Sequence, residues 1–347
     1  MRRRIPPPRS VDAVKARFAG VDAARGLAIL GMLWAHTAAD GTRDGLADGR
    51  SSVLFATLAG VSIGLMTGGD ERPSGRRLVE GVVAVALRGI VLIGLGLLLW
   101  LLGTPVAVIL DTYGVLLLVL LPLLVAPIGL VGAVALVAAL GGPPVVALVE
   151  RDLDTPFTPQ RFEALGAEWF VTGYYPAVVF AAYLCAGLVV ARAGLARRRT
   201  LLLMVVSGAA ASVLGYGGAA LAGLDAGAHS STTAEVLGSG GLAIAVIGAL
   251  ELLCSSPATA RAARAALLPL TAAGRMPLTI YTGQLLVLAL WLTTPAAGEP
   301  PWIESWALLA SLAVGSVVFA LLWQRFVGRG PMERLLARMT TVRLPGP

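Results

Sequence analysis

The sequence predicts an all-α, polytopic integral membrane bundle of about ten transmembrane helices, N-in/C-in, with both termini in the cytoplasm. Three observations predict it: an apolar composition, the lengths of the apolar stretches, and the alternation of charge between them. Of 347 residues, 57% are hydrophobic and only 14% are charged. A soluble domain is nearer ~25% charged, and a chain this poor in charge cannot cover a water-facing surface. The 42 glycines suit close approach of helices in lipid.

A helix needs about 20 residues to cross ~30 Å of hydrocarbon. Stretches of that kind run at 19–39, 51–67, 81–102, 107–125, 128–149, 173–191, 201–222, 236–254, 270–293 and 304–327. Only Ala126 and Pro127 separate the fourth from the fifth.

The connecting segments alternate in charge. With the N-terminus inside, the cytoplasmic side holds Arg2, Arg3, Arg4, Arg9, Lys15, Arg17, Arg72, Arg76, Arg77, Arg192, Arg197, Arg198, Arg199, Arg261, Arg264, Arg329, Arg334, Arg338 and Arg343. The opposite side holds Arg43, Arg50, Arg151 and Arg161, with acids that include Asp40, Asp44, Asp48, Asp111, Glu150, Asp152, Asp154, Glu163, Glu168, Asp225, Glu235, Glu299 and Glu304. Trp169, Tyr174, Tyr175, Trp302 and Trp306 fall near the outer helix ends, as interfacial aromatics do.

This gives a cytoplasmic N-terminal tail over 1–18, a transmembrane domain over 19–327, and a cytoplasmic amphipathic tail over 328–347. The basic start, MRRRIPPPRS, leads into no short apolar run with a cleavage site and reads as a retained tail. Around Pro156 and Pro159, the longest outer loop leads into a short helix over Phe162–Trp169. Within the C-terminal tail, Leu335, Leu336 and Met339 share one face of Pro331–Met339 and Arg334 and Arg338 another. That pattern predicts a helix lying on the inner membrane surface. The net charge of +7 sits at helix ends and forms no continuous stripe, which argues against a nucleic-acid partner. Cys185 and Cys254 read as small core residues, with no disulfide framework and no metal site. There is no phosphate-binding loop and no nucleophile elbow.

The first helix carries the chemistry. Asp22, Arg25 and His36 interrupt an apolar span, where ionisable groups are expensive and usually face a cavity. Arg25 and His36 are 11 residues apart, so they share a face and lie about 16–17 Å apart along the axis. Asp22 and Arg25 form an i, i+3 pair on that face. Read singly, the pair also suits a helix start with a snorkelling arginine, and His36 suits the interface.

The run Asp22-Ala-Ala-Arg25-Gly-Leu-Ala, followed by His36, resembles the first-helix signature of the transmembrane acyltransferase superfamily. The arginine–histidine spacing is that of bacterial membrane acyltransferases that O-acylate envelope glycans. The surrounding residues resemble the heparan-α-glucosaminide N-acetyltransferase-like branch, and its bacterial members above all. Tyr174-Tyr-Pro-Ala, Tyr183-Leu-Cys-Ala-Gly187, His229-Ser-Ser-Thr-Thr-Ala-Glu235, Gly274-Arg-Met-Pro-Leu-Thr-Ile-Tyr281 and Arg329-Gly-Pro-Met-Glu333 extend the likeness in order. One departure is clear: the lysosomal enzyme has asparagine at the position of His36 and a histidine in the first outer loop. The corresponding loop, Thr37–Ser52, holds none.

The resemblance implies a cytoplasmic acyl-CoA donor, acetyl-CoA foremost, and a glycan hydroxyl or amine acceptor on the outer side of the plasma (inner) membrane. It implies His36 as general base or acyl carrier, with Arg25 holding donor phosphate beside its partner Asp22. His229 and Glu235 are further catalytic candidates; a polar loop whose Thr233 caps the following helix is the alternative. Arg275 and Arg88 are donor-binding candidates, Arg275 otherwise serving as an anchor and Arg88 requiring a protein partner. Asp111 and Tyr113 are candidate acceptor contacts. Membrane lipid is the remaining expected partner, and a homodimer is admitted. Gly60 and Gly64 suit helix packing. A transporter or flippase of a small envelope metabolite or lipid-linked sugar is the competing reading. A non-enzymatic assembly factor is the third.

Overall fold

A computed structural model describes residues 18–38, 47–71, 74–151, 164–297, 303 and 305–342. Among them the chain is helical, with no strand. The helices are α1 (Ala19–Thr37), α2 (Arg50–Met66), α3 (Gly75–Trp100), α4 (Leu110–Val119), α5 (Ile128–Arg151), α6 (Leu165–Ala167), α7 (Ala177–Ala193), α8 (Arg198–Ser212), α9 (Gly218–Ala222), α10 (Thr233–Ser255), α11 (Ala260–Ala266), α12 (Leu268–Gly274), α13 (Pro277–Leu292), α14 (Trp306–Phe326) and α15 (Pro331–Thr340).

Five helices are long and apolar enough to cross a bilayer: α3, α5, the continuous rod Arg198–Ala222, α10 and α14. Two bent pairs raise the number to seven, Leu165–Thr172 with α7 at 60° and α12 with α13 at 82°. The chain is a multi-pass membrane protein. Its outward faces agree: Leu98, Leu101, Val137, Val206, Leu214 and Leu221 are all exposed, which suits a hydrocarbon solvent and no aqueous one.

Each of the ten apolar stretches contains a helix, but α1, α2 and α4 are not among the five to seven candidate spans, and two of the stretches are interrupted. The fourth is only ten α-helical residues, α4, followed by a 3-10 turn over Leu121–Leu124. Pro122 and Pro127 supply no backbone donor there. Arg192 at the end of α7 ties this irregular turn down, donating to the carbonyls of Leu123, Leu124 and Ala126 at 2.6–2.9 Å. The ninth breaks at Arg275-Met276. The residue before a proline is driven out of the α region, and Met276 sits at φ −131°, ψ 41° ahead of Pro277.

Helix α1 lies inside the bundle against α2, α10, α12, α13 and α14. No side chain of its own caps it. Glu251 of α10 does so instead, accepting from the backbone N–H of Gly20 at 2.9 Å and Val21 at 3.2 Å. In lipid the hydrophobic effect gives no net drive between helices, so close backbone contact carries association. Two crossings show this. A Cβ at Gly60 would overlap the carbonyl of Leu184, and one at Gly274 would overlap the carbonyl of Asp22. The cysteines, Cys185 and Cys254, are buried and free.

Helix α15 docks against α3 and α13. Leu336 is buried while Leu335 and Met339 stay exposed. Glu333 caps α13 by accepting from the N–H of Leu278 at 2.8 Å and Thr279 at 3.1 Å. The amphipathic segment is thus seated on the bundle end through one leucine and one carboxylate. Residues 1–17 of the expected N-terminal tail lie outside the described residues. So do Asp40, Arg43, Asp44, Arg72, the 152–163 segment with Pro156, Pro159 and Phe162, and Glu299, Trp302, Glu304 and Arg343.

Candidate functional site

Two polar clusters occupy opposite ends of α1. At the first, Asp22 sits between two arginines. Arg25 donates to its Oδ1 at 3.0 Å, and Arg275, at the break between α12 and α13, donates to its Oδ2 at 3.3 Å. Arg25 also donates to Ser62 Oγ of α2 at 3.0 Å and to the Gly274 carbonyl at 3.3 Å. Its guanidinium is mostly buried, with Asp22 more so.

Arg25 lines a mostly apolar pocket of about 100 Å³. Arg88 of α3 lines the same pocket, with Ser62, Tyr113 of α4 and Leu336 of α15. Among the described residues, Arg88 forms no salt bridge; its guanidinium contacts Met66 Sδ at 3.3 Å. Two arginines therefore face one apolar cavity, and one of them is without a carboxylate in contact. A cation so placed is costly unless an anion enters. Arg275 contributes through Asp22 and does not line the cavity.

The second cluster gathers at the other end of α1. His36 Nδ1 lies 2.5 Å from Gln284 Nε2 of α13. His229, in the loop before α10, places Nε2 at 3.3 Å from Asp48 Oδ1. Tyr174 and Tyr175 set their rings edge-on to the His229 ring at 5.6 and 5.7 Å between centroids. The His229–Asp48 pair thus sits at the same end of α1 as His36 and Gln284.

The loop geometry explains why His229 stays there. Glu235, in the first turn of α10, accepts from the backbone N–H of His229 at 2.8 Å and Ser231 at 2.7 Å, and from the Ser230 hydroxyl at 3.3 Å. These bonds hold His229 at φ 60° and Ser231 at φ 51°, the left-handed region that costs ordinary residues about 1–2 kcal/mol each. Thr232, and not Thr233, caps α10, accepting from Glu235 N at 3.1 Å. The carboxylate of Glu235 therefore holds the histidine backbone; the group on the His229 ring is Asp48.

Both loop groups are shifted in ionisation. Burial alone would lower the His229 pKa, but the Asp48 hydrogen bond and charge, the Glu235 charge and a backbone bond at Tyr174 raise it above the usual 6.5. Burial would raise Asp48, yet the His229 hydrogen bond and charge, the Gly49 N–H and the His36 charge hold it below the ordinary carboxylate value. Such a couple keeps its proton on the imidazole at mildly acidic pH.

Other expected residues are committed elsewhere. Asp111 is buried and accepts from Trp169 Nε1 at 2.7 Å. Tyr113 donates to the Ser52 carbonyl at 2.9 Å and stacks on Phe55. Trp169 and Tyr175 thus serve the protein interior and not only its rim. Among the described residues there is no group of His, Cys, Asp or Glu that could hold a metal ion.

Residues 177–343 match the model of a family described as "Protein of unknown function (DUF418)". The match spans just under half of the chain, from α7 to the end of the described C-terminal segment, and its description names no activity. It includes His229, Glu235, Arg275 and Gln284. Asp22, Arg25, His36, Asp48 and Arg88 precede it. No curated protein matches the chain.

Sequence reasoning missed Asp48 and Gln284. Asp48 stood among thirteen outer acids, and nothing local distinguished it. Gln284 does carry a signal: it is an amide in the middle of an apolar span, and buried polar groups need partners.

Proposed function

We propose that the chain is a membrane-bound acyltransferase that moves an acyl group, acetyl foremost, from cytoplasmic acyl-CoA to a hydroxyl or amine of an envelope glycan across the plasma membrane. The observation that carries this reading is the pair of clusters on α1. The Arg25–Arg88 pocket suits a polyanionic donor end, and the His36–His229–Asp48 cluster suits proton transfer about 16 Å away along the helix. An extended pantetheine arm is of that length scale. In this reading α1, α2 and α4 join the five to seven longer spans to make ten, the termini and the Arg25 end are cytoplasmic, and the histidines face outward.

Each residue then has a task. Arg25 and Arg88 bind phosphate by charge-assisted hydrogen bonds, while Asp22 and Arg275 fix the Arg25 guanidinium. His36 takes the acceptor proton as the acceptor attacks the thioester. His229, charged by Asp48, favours the negative charge that develops on the carbonyl oxygen.

The test is acyl-CoA thiol release by the purified protein, with coenzyme A binding measured separately by calorimetry. His36→Ala should bind coenzyme A normally and turn over roughly 10²–10⁴-fold more slowly. Arg25→Ala and Arg88→Ala should weaken binding. A folded His36→Ala protein with unaltered turnover removes His36 from the chemistry, and failure of the native protein to bind coenzyme A removes the acyltransferase reading.

A carrier is the second reading. The observation favouring it is the 82° break between α12 and α13, because carriers build sites at broken helices. The break lies beside Asp22, near one end of α1, whereas carrier sites lie near the midplane. Uptake of an anion by vesicles, without thiol release from acyl-CoA, would favour the carrier.

A further inference from the structure

The amide of Gln284 meets His36 through one of its two polar atoms only. Gln284 is buried, and its other amide atom, Oε1 as placed, has no hydrogen-bond partner. Buried amide groups are nearly always satisfied, so an orphan beside an imidazole marks a place for a ligand or a water. The oxygen and nitrogen of a glutamine amide are interchangeable by a half-turn. In either orientation, one atom serves His36 Nδ1 and the other is left over.

The chemistry selects the orientation. For His36 to accept a proton at Nε2, Nδ1 must carry the hydrogen and donate it to a partner. Gln284 meets that need when its Oε1 accepts from Nδ1–H. Its –NH₂ group is then the orphan, a buried neutral donor beside the base.

We propose that Gln284 is a catalytic residue of the reaction described above: its amide oxygen fixes the His36 tautomer and its amide N–H binds the thioester carbonyl oxygen of the donor. This inference rests on the acyltransferase reading. As the acceptor oxygen or nitrogen forms its bond to the carbonyl carbon, its proton passes to His36 Nε2. The carbonyl oxygen becomes an anion held by Gln284 N–H. On collapse the C–S bond breaks, the thiolate leaves, and the proton on His36 passes to sulfur. Atoms and charge balance without any further reactant. The position on α13 is consistent, since Pro277 and Leu278 line the Arg25–Arg88 pocket and Gln284 lies about 9–10 Å further along the same helix.

The test compares two unreactive donor analogues on the full-length protein. One is a ketone in which methylene replaces the thioester sulfur and the carbonyl remains. The other is an S-ethyl thioether with no carbonyl. The native protein should bind the ketone at least ~10-fold more tightly, and Gln284→Leu should abolish that preference while binding free coenzyme A as before. Turnover should fall roughly 10²–10³-fold, the usual worth of one oxyanion donor. Gln284→Glu provides a second variant should the leucine variant not fold. It keeps an oxygen for His36 but loses the N–H, so the ketone preference should vanish there too. A folded variant that keeps the preference overturns the proposal. So does a native protein that binds both analogues equally, or a variant that loses coenzyme A affinity as steeply as ketone affinity. A native protein that binds neither analogue nor coenzyme A overturns the acyltransferase reading itself.

Discussion

Asp48 Oδ1 lies 3.3 Å from His229 Nε2, and that one contact ties the loop before α2 to the loop before α10. Because His229 is raised above 6.5, its stabilisation is complete below that value and fades as pH rises through the folded pKa. Because Asp48 is held below 3.8, its stabilisation is complete above that value and fades as pH falls through the folded pKa. The pair is therefore fully formed between 3.8 and 6.5. Asp48→Asn should cost about 1–3 kcal/mol in that window, the range for a hydrogen bond to a charged group. Melting of the detergent-solubilised proteins at pH 5.5 and pH 9 checks this: the gap between native and variant should shrink at pH 9. An equal gap at both would show that the pair is not ionised.

Glu235 organises the same loop from the other side. Glu235→Ala removes the acceptor for two backbone N–H groups and releases two residues from the left-handed region. A loss of about 2–3 kcal/mol follows from the orphaned donors, with faster amide exchange over 229–231. Glu235→Gln keeps one acceptor oxygen and should fall between. Ser231→Gly removes a side chain from a position at φ 51° and should restore part of the loss in the alanine background. If exchange over 229–231 is unchanged in Glu235→Ala, the carboxylate does not hold the loop.

The helices were legible in the sequence because lipid demands long apolar runs, and Pro127 and Pro277 mark the places where those runs fail. The breaks themselves were harder to see. Hydropathy averages across Arg275-Met276-Pro277, so a helix bent by 82° reads as one span. Arg25 and His36 were legible through their shared face. Their partners were not, since Ser62, Asp48, Gln284 and Gly274 come from other elements and only the packing of α2, α12 and α13 on α1 brings them together. Glu235 was visible as a first-turn acid, yet its bonds to His229 and Ser231 depend on two positive φ angles that no local pattern announces. Arg88 was recognisable as an expensive residue, while the cavity it faces needed α4 and α15 in place.

The rod Arg198–Ala222 makes a direct test of orientation. Its 25 residues rise about 37 Å, more than the ~30 Å of hydrocarbon, so its ends belong on opposite sides. Cysteine reporters at Arg198 and at Leu224, both exposed, should react with an impermeant thiol reagent from opposite faces. Position 198 should react from the cytoplasm. The native Cys185 and Cys254 are buried and should give little background. Labelling of both positions from one side would defeat the ten-span topology.

Glu251 is the residue whose loss should reach one end of the site and spare the other. It lies on α10, is 5% exposed, and its Oε2 accepts from Gly20 N and Val21 N at the start of α1. Those donors have no intrahelical partner, as at any helix start, and they are buried where water does not replace the lost acceptor. Glu251→Ala should therefore cost about 1–3 kcal/mol for each orphaned N–H, allowing the first turn of α1 to fray. Asp22 and Arg25 sit on that turn or just after it, so the Arg25–Arg88 pocket should loosen first. His36, three turns further on, should keep Gln284. The expected signature is weakened coenzyme A binding with a smaller change in turnover at saturating donor. Glu251→Gln retains an oxygen in the same place and should preserve both binding and folding stability to within about 1 kcal/mol. If the glutamine variant is as damaged as the alanine one, the negative charge of Glu251 matters to the N-terminus of α1 beyond its role as an acceptor.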